Sequence, residues 1–222
     1  MRKLLASAGA ALSAALLLVA PALADPGAPA VGVQLSSLGY GLVLEEPVNR
    51  FVSVRLQNGV FSTSQSGTVN GFQYNGQLHY DNVAALLDLH PLGGRFRVSA
   101  GLVAGNNYLD GTGQRANGTY TLNGQTYQAS LVGSVSASVK TSSLAPYLGV
   151  GSGGGARRGL SFSYDVGVVF WSPSAMLSYS NPAAAQIPGF TQNLLAAQAQ
   201  LARGVGVLRT YPVVDVQLTL RP

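Results

Sequence analysis

The side chains able to do acid, base or nucleophilic chemistry are few in this sequence. It holds 2 histidines, 8 carboxylates and no cysteine. Thiol catalysis, disulfides and cysteine-ligated metals are therefore excluded. No serine stands in the G-x-S-x-G context of a nucleophile elbow. His79 lies beside Asp81 with no nucleophile motif, and His90 precedes Pro91 at a predicted turn. We therefore expect no catalytic residue and no enzymatic activity.

Binding of a metal or cofactor has equally little support. The carboxylates and histidines form no cluster with the spacing of metal ligands. We expect no metal ion and no other cofactor. The remaining use of the charged residues is a structural or transport role, which depends on the elements that carry them.

Those elements are short segments in which apolar and polar residues alternate. In residues 159–171, Leu160, Phe162 and Tyr164 share one face, while Ser161 and Ser163 share the other. Alternation with a period of two is typical of a β-strand with unlike faces. A tilted strand of about 9–11 residues can cross a bilayer, so the segment is long enough to do so.

The pattern recurs along the chain in nine runs. They are residues 31–45, 51–61, 72–90, 95–104, 125–139, 144–152, 159–171, 175–180 and 214–221. The first run changes phase near Ser36-Ser37, which indicates a bulge or a turn. Because bacterial single-chain barrels have an even number of strands, either this run is two strands or residues 125–139 belong to a loop. We predict an all-β, antiparallel transmembrane β-barrel of eight strands, with ten as the alternative.

Charged residues fall repeatedly on the face opposite the aliphatic one. If the aliphatic face meets lipid, four acids and two arginines point into the lumen: Glu45, Arg55, Asp88, Arg97, Asp165 and Asp215. Unpaired charges there would be costly, so we expect the six to form ion pairs that close the lumen. The alternative is an ion-conducting path or a ligand pocket.

The connections also fit a barrel. Residues 46–49, 91–94 and 172–174 are predicted to be short turns on the periplasmic side, and residues 62–71 and 106–124 longer polar loops. Asn123-Gly124 predicts a tight hairpin, because both residues tolerate positive φ. Aromatic residues are predicted to lie in the interfacial girdles: Tyr40, Tyr80, Tyr164, Trp171 and Tyr211. Residues 191–203 predict a short helix before the last strand, either packed on the barrel rim or acting as a partial plug.

Composition and the first residues define location. The chain is 47% hydrophobic and only 9% charged, which argues against a nucleic-acid-binding protein. Residues 1–24 combine a basic head, an apolar stretch and a small-residue end, the pattern of a cleavable secretory signal. Residues 25–222 lack an apolar run of about 18 residues that would form a membrane helix. We therefore predict an exported barrel domain over residues 25–222.

Several strand segments carry distinctive motifs: APYLGVG at 145–151, FSYDVGV at 162–168, LLDLHP at 86–91 with GGRFR at 93–97, and YPVV at 211–214. These motifs resemble strands of small outer-membrane barrel proteins of Gram-negative proteobacteria. The match runs in order over most of the chain and is similar to a porin-like or OmpW-like family, whose members mostly have no assigned activity. The resemblance implies contact with the outer-membrane assembly machinery through a C-terminal aromatic residue, whereas this chain ends in Pro222.

The expected function follows from this class. We expect an outer-membrane β-barrel that is structural or forms a narrow small-solute channel, with membrane lipids and lipopolysaccharide as partners. No nucleic-acid partner is expected, and the chain is expected to be a monomer. A surface adhesin, a ligand-binding barrel and a soluble periplasmic lipid-binding barrel are the alternatives.

Overall fold

A computed structural model describes residues 28–69, 72–115, 117–153 and 158–222. The predicted export signal lies outside these residues. Antiparallel strands dominate the described chain, and the fold class predicted from the alternation is confirmed.

Eight strands pair in a closed ring. In ring order they are β1 (Ala30–Ser36), β2 (Gly39–Asn49), β3 (Val52–Val69), β4 (Phe72–Leu89), β5 (Phe96–Gly105), β10 (Leu144–Ser152), β11 (Gly159–Phe170) and β13 (Thr210–Arg221). β1 pairs with β13, and β4 pairs with β5 through Asn82–Leu89, so the sheet has no free edge at either place. Closure of this kind satisfies the backbone groups that an open sheet would expose.

The first alternating run is two strands. The chain turns at Ser37-Leu38 between β1 and β2, and Gly39 takes a φ of 119° that a side chain would strain. This turn explains the change of phase at Ser36-Ser37. Residues 125–139 form no ring strand, so one of the nine runs splits and two others, 125–139 and 175–180, leave the ring.

The two ends of the ring differ. At one end, called the turn end, short connections at residues 50–51 and 90–95 link neighbouring strands, and β1 begins and β13 ends there. At the other end, called the extension end, the chain leaves the ring at residues 106–143 and 171–209. The expectation for residues 172–174 was wrong, because they follow β11 at the extension end. Residues 46–49 belong to β2, and the turn comes after them.

The same hydrogen-bonded sheet continues beyond the extension end, and this outer part of it is called the second sheet here. β3 and β4 pair over their full 18 residues, and the first half of β4 then pairs with β6 (Tyr108–Arg115). β9 (Val135–Lys140) and β12 (Ser174–Tyr179) extend this sheet. Residues 62–69 were expected to be a polar loop and are instead strand, because their hydrogen bonds to β4 hold them extended without an apolar face.

Short elements cover one side of this second sheet. β7 (Thr119–Leu122) and β8 (Gln125–Gln128) form the predicted hairpin, with Asn123 at φ 50° and Gly124 at φ 80°. Helix α1 (Ala129–Val132) follows, and helix α2 (Phe190–Gly204) precedes the last strand, as predicted. A 3-10 helix (Pro182–Gln186) lies before α2. Apolar side chains of these elements form a small core: Leu122, Tyr127, Val132, Ala184, Phe190 and Leu194.

The faces of the ring strands have opposite character. Residues that point outward include Leu102, Leu148, Phe162 and Val166, all exposed apolar side chains that form a belt around the ring. Residues that point inward are charged or polar near the turn end and apolar near the extension end. In the described part of the chain, no helix is long and apolar enough to span a membrane.

Candidate functional site

All six charged residues predicted to face the lumen are buried inside the ring. Glu45, Asp88 and Arg97 have no exposed surface, and Arg55, Asp165 and Asp215 are at most 2% exposed. Each lies on an inward-facing position because every second side chain of a strand points to the same face. They come from β2, β3, β4, β5, β11 and β13, so the ring itself brings them together.

Arg55 on β3 connects two carboxylates. Its Nη2 donates to Asp88 Oδ1 at 3.0 Å, and its Nη1 donates to Asp165 Oδ2 at 2.6 Å. Its Nε lies 3.0 Å from Asp88 Oδ2. Ser99 Oγ also donates to Asp88 Oδ1 at 2.5 Å. β3, β4, β5 and β11 are therefore joined through one guanidinium group.

Asp165 on β11 is the centre of the network. Besides the bond from Arg55, it accepts from Arg97 at both carboxylate oxygens, with Nε 3.0 Å from Oδ1. Two-point pairing of guanidinium and carboxylate is among the stronger polar contacts in proteins. Because Arg55 and Arg97 come from different strands, Asp165 links β11 across the lumen to β3 and β5.

A third arginine, Arg221 on β13, completes the network. Its Nη2 lies 3.5 Å from Glu45 Oε1, and Arg97 Nη1 lies 3.9 Å from Glu45 Oε2. Sequence reasoning did not include Arg221 in the lumen set, although its position alternates in phase with that of Asp215. Within the described residues the buried ring thus holds four carboxylates and three guanidinium groups.

Asp215 lies beside a layer of amides rather than arginines. Gln57 Nε2 donates to Asp215 Oδ2 at 3.3 Å, and Gln217 Nε2 donates to Gln57 Oε1 at 3.2 Å. Ser163 Oγ donates to Gln217 Oε1 at 3.3 Å. Asp215 Oδ1 has no hydrogen-bond partner among the described residues.

His90 has a structural position at the turn end. Its Nε2 lies 3.3 Å from Ser53 Oγ, and its Nδ1 lies 3.1 Å from the carbonyl oxygen of Gly94. Both the serine and the histidine are buried. The pair ties the β4–β5 turn to the start of β3. His79 lies in the second sheet, where its ring stacks on Tyr108 at 4.9 Å.

Aromatic side chains fill the ring towards the extension end. Trp171 and Tyr211 have ring centroids 5.0 Å apart, and Tyr80 lies 6.5 Å from each. Together with Tyr147, they pack against a buried apolar cluster. The expected girdle position was therefore wrong for Tyr80, Trp171 and Tyr211, whose side chains point inward. Tyr40 and Tyr164 do point outward and are 59% and 50% exposed.

A small cavity lies inside the ring. It is bordered by Gln34, Gln57, Asn82 and Val103 and has about 10 Å³. That is close to the smallest space able to hold one water molecule. Within the described residues, no group of three or more His, Asp or Glu side chains could hold a metal ion.

The closed ring, the outward apolar belt and the polar interior define the class of outer-membrane β-barrel folds. Solved structures share this fold. CarO2 of Acinetobacter baumannii is 19% identical, with a TM-score of 0.58 over 89% of this chain and 100% of that one. CarO of the same organism is 20% identical, with a TM-score of 0.54 over 88% of this chain and 98% of that one. No protein-family model and no curated protein matches the chain.

Proposed function

We propose that the chain is an outer-membrane protein whose ring is a closed, structural membrane anchor. The outward belt supports insertion into lipid, because a contiguous exposed apolar surface of this extent destabilises a protein in water. The likeness to two outer-membrane proteins points to the same location. With the turn end in the periplasm, the second sheet and α2 stand outside the cell.

The polarity of the ring argues against a soluble barrel that carries a lipid. Such a carrier needs an apolar cavity, whereas this ring has arginines and carboxylates inside and leucine, valine and phenylalanine outside. Cell fractionation tests the location. We expect the protein in the detergent-extracted outer membrane, with heat-modifiable migration on a gel. Recovery in the soluble periplasmic fraction without detergent would contradict the proposal.

The observation that favours a closed anchor over a channel is the bridging of Asp165. Bonds from Arg55 and Arg97 span the lumen. The aromatic layer of Tyr80, Trp171 and Tyr211 fills the next level. An ion would have to displace two consecutive packed layers, one of them held by charge-assisted hydrogen bonds.

Planar-bilayer recording separates the anchor from the channel. We expect no steady, single-sized conductance from the purified protein. Arg97→Ala tests the polar layer, and Arg203→Ala, on the exposed side of α2, is the matched control. A reproducible wild-type conductance that Arg97→Ala changes and Arg203→Ala leaves alone would overturn the closed anchor and establish the channel.

The remaining aspects of the proposal are a monomeric state and the absence of catalysis. The one close serine–histidine pair found among the described side chains, Ser53 and His90, is buried and has no room for a substrate. Lipids, lipopolysaccharide and the assembly machinery are the proposed partners. Sedimentation in detergent tests the monomer, and a dimer mass would contradict it.

A further inference from the structure

A hollow at the surface of the second sheet is lined by none of the buried charged residues of the ring. This open depression of about 390 Å³ lies on β3, β4 and β6 beyond the extension end. Its volume is within the range of small-molecule sites. Besides Gly67 and Tyr74, it is lined by six residues with hydroxyl or amide side chains: Ser66, Thr68, Gln73, Asn75, Thr112 and Gln114. We call these six residues the hydroxyl–amide patch.

Strand register arranges the patch as two rows of three. Thr68 pairs with Gln73, and Gln73 pairs with Gln114. In the next row, Ser66 pairs with Asn75 and Asn75 with Thr112. Neighbouring strands lie about 4.8 Å apart, and residues two apart on one strand are about 7 Å apart. The six side chains therefore form a regular array of donors and acceptors on one face.

The array is exposed and largely unused by the protein itself. All six residues are exposed. Thr112 Oγ1 lies 3.0 Å from Ser136 Oγ. The other five side chains make no hydrogen bond within the described part of the chain. Helix α2 packs against Val135, Leu177 and Tyr179, whose positions alternate with those of the patch rows, so it covers the opposite face.

The chemistry of the patch restricts its ligand. None of the six side chains is charged, and Asp110 on β6 lies one row beyond Thr112. Arg115 points to the opposite face, where its guanidinium lies 5.7 Å from the Phe72 ring centroid. An anionic ligand would find no cation to pair with. An apolar ligand would strip water from hydroxyls and amides without replacing their hydrogen bonds.

We propose that the hydroxyl–amide patch binds a neutral saccharide. Serine and threonine hydroxyls and asparagine and glutamine amides each donate and accept hydrogen bonds, which matches the hydroxyl groups of a sugar. Uncharged sugars with these hydroxyl groups occur in host glycans and in the neutral polysaccharide of lipopolysaccharide. The site lies on the second sheet and not in the lumen. The saccharide proposal can therefore be tested independently of the proposed membrane anchor.

The test uses the full-length protein, folded in detergent, on an array of neutral oligosaccharides: maltohexaose, mannopentaose, galactotetraose and chitotetraose. Sialylated oligosaccharides are the charged comparison, and smooth and rough lipopolysaccharide distinguish the bacterial source from the host source. The patch variant is Gln73→Ala with Asn75→Ala. The control is Gln125→Ala with Gln128→Ala, an equally polar and exposed pair on the β7–β8 hairpin.

We expect at least one neutral probe to bind and the patch variant to weaken that binding by tenfold or more. The control should leave it unchanged. Heat-modifiable migration shows that the ring of each variant is folded, and wild-type hydrogen–deuterium exchange of β3, β4 and β6 shows the same for the second sheet. Gln73→Glu, which keeps the shape and adds a charge, should also weaken binding. The proposal is overturned if no neutral probe binds, if only charged probes bind, or if the patch variant binds as well as the control.

Discussion

Asp165 on β11 lies directly opposite Asp215 on β13, and both carboxylates are buried inside the ring. Like charges at paired positions of neighbouring strands repel each other. The two acids differ in their partners. Asp165 accepts from Arg55 and Arg97, whereas Asp215 accepts from the amide of Gln57. Two of the three buried arginines, Arg55 and Arg97, thus bind one member of the pair, Asp165.

This asymmetry predicts opposite effects of two similar substitutions. Asp165→Asn leaves two buried guanidinium groups short of a counter-charge and should lower the free energy of unfolding by about 3–5 kcal/mol. Asp215→Asn removes the repulsion and keeps an oxygen for Gln57, so stability should stay level or rise by up to about 1 kcal/mol. Urea unfolding in lipid vesicles measures both. Equal losses from the two variants would contradict the asymmetry.

Two glycines, one inside the ring and one on the second sheet, should differ in how much a substitution by alanine destabilises the protein. A Cβ at Gly101 on β5 would clash with the carbonyl oxygen of Ala85 and lie 2.8 Å from Leu86 Cα. These are backbone atoms that cannot move aside, so Gly101→Ala should destabilise the ring by about 1–3 kcal/mol. At Gly111 on β6, no atom lies within 4 Å of the same position.

Gly111→Ala is therefore the matched control. It should change stability little, or raise it by about 0.4–1 kcal/mol through the unfolded chain. The stability of each variant is measured as the temperature at which its migration on a gel shifts to that of the unfolded protein. A Gly101→Ala protein as stable as Gly111→Ala would mean that β4 and β5 are farther apart than the structure shows.

The inward face was predictable from the sequence, because parity along a strand is set by the period of two. The same parity argument predicts which aromatic side chains point into the ring. Tyr80 shares the phase of Asp88, and Tyr211 that of Asp215, which makes them inward. Tyr40 has the opposite phase from Glu45, which makes it outward. The girdle expectation used residue type alone, and the phase within each strand decides the question.

Strand partners were not predictable in the same way. Alternation gives a strand its two faces and contains no information on which neighbour it joins. β4 changes partner from β6 to β5 near Asn82, so its first half belongs to the second sheet and its last part to the ring. The polar residues 62–69 have no apolar face, and only their pairing with β4 makes them strand. The hydroxyl–amide patch depends on that pairing and was missed for the same reason.

The outward belt predicts the consequence of a charge facing lipid. Leu148 on β10 is 53% exposed on the outer face of the ring. Leu148→Arg should destabilise the protein in a bilayer by about 2–4 kcal/mol if it lies near the midplane. Thr126→Arg on the β7–β8 hairpin adds the same charge outside the belt and should have little effect. Equal unfolding free energies of the two variants in lipid vesicles would argue against a membrane-facing belt.

The core beside α2 predicts that this region can loosen while the ring stays intact. Phe190 is fully buried, and its ring meets Tyr127 edge-on at 5.1 Å and Tyr179 at 5.0 Å. Phe190→Ala removes both contacts and leaves a cavity, which should destabilise this small core by about 3–5 kcal/mol. The ring shares none of these contacts, because its own apolar cluster is formed by other residues.

Hydrogen–deuterium exchange with peptide resolution measures this separation. In Phe190→Ala, amides of α2 and of the β7–β8 hairpin should exchange faster, while β1, β11 and β13 keep wild-type protection. Leu195→Ala on the same helix is the control, because that side chain is 58% exposed and its loss leaves no buried cavity. Faster exchange in the ring strands of Phe190→Ala would contradict this separation. It would show that the ring and the core beside α2 unfold as one cooperative unit.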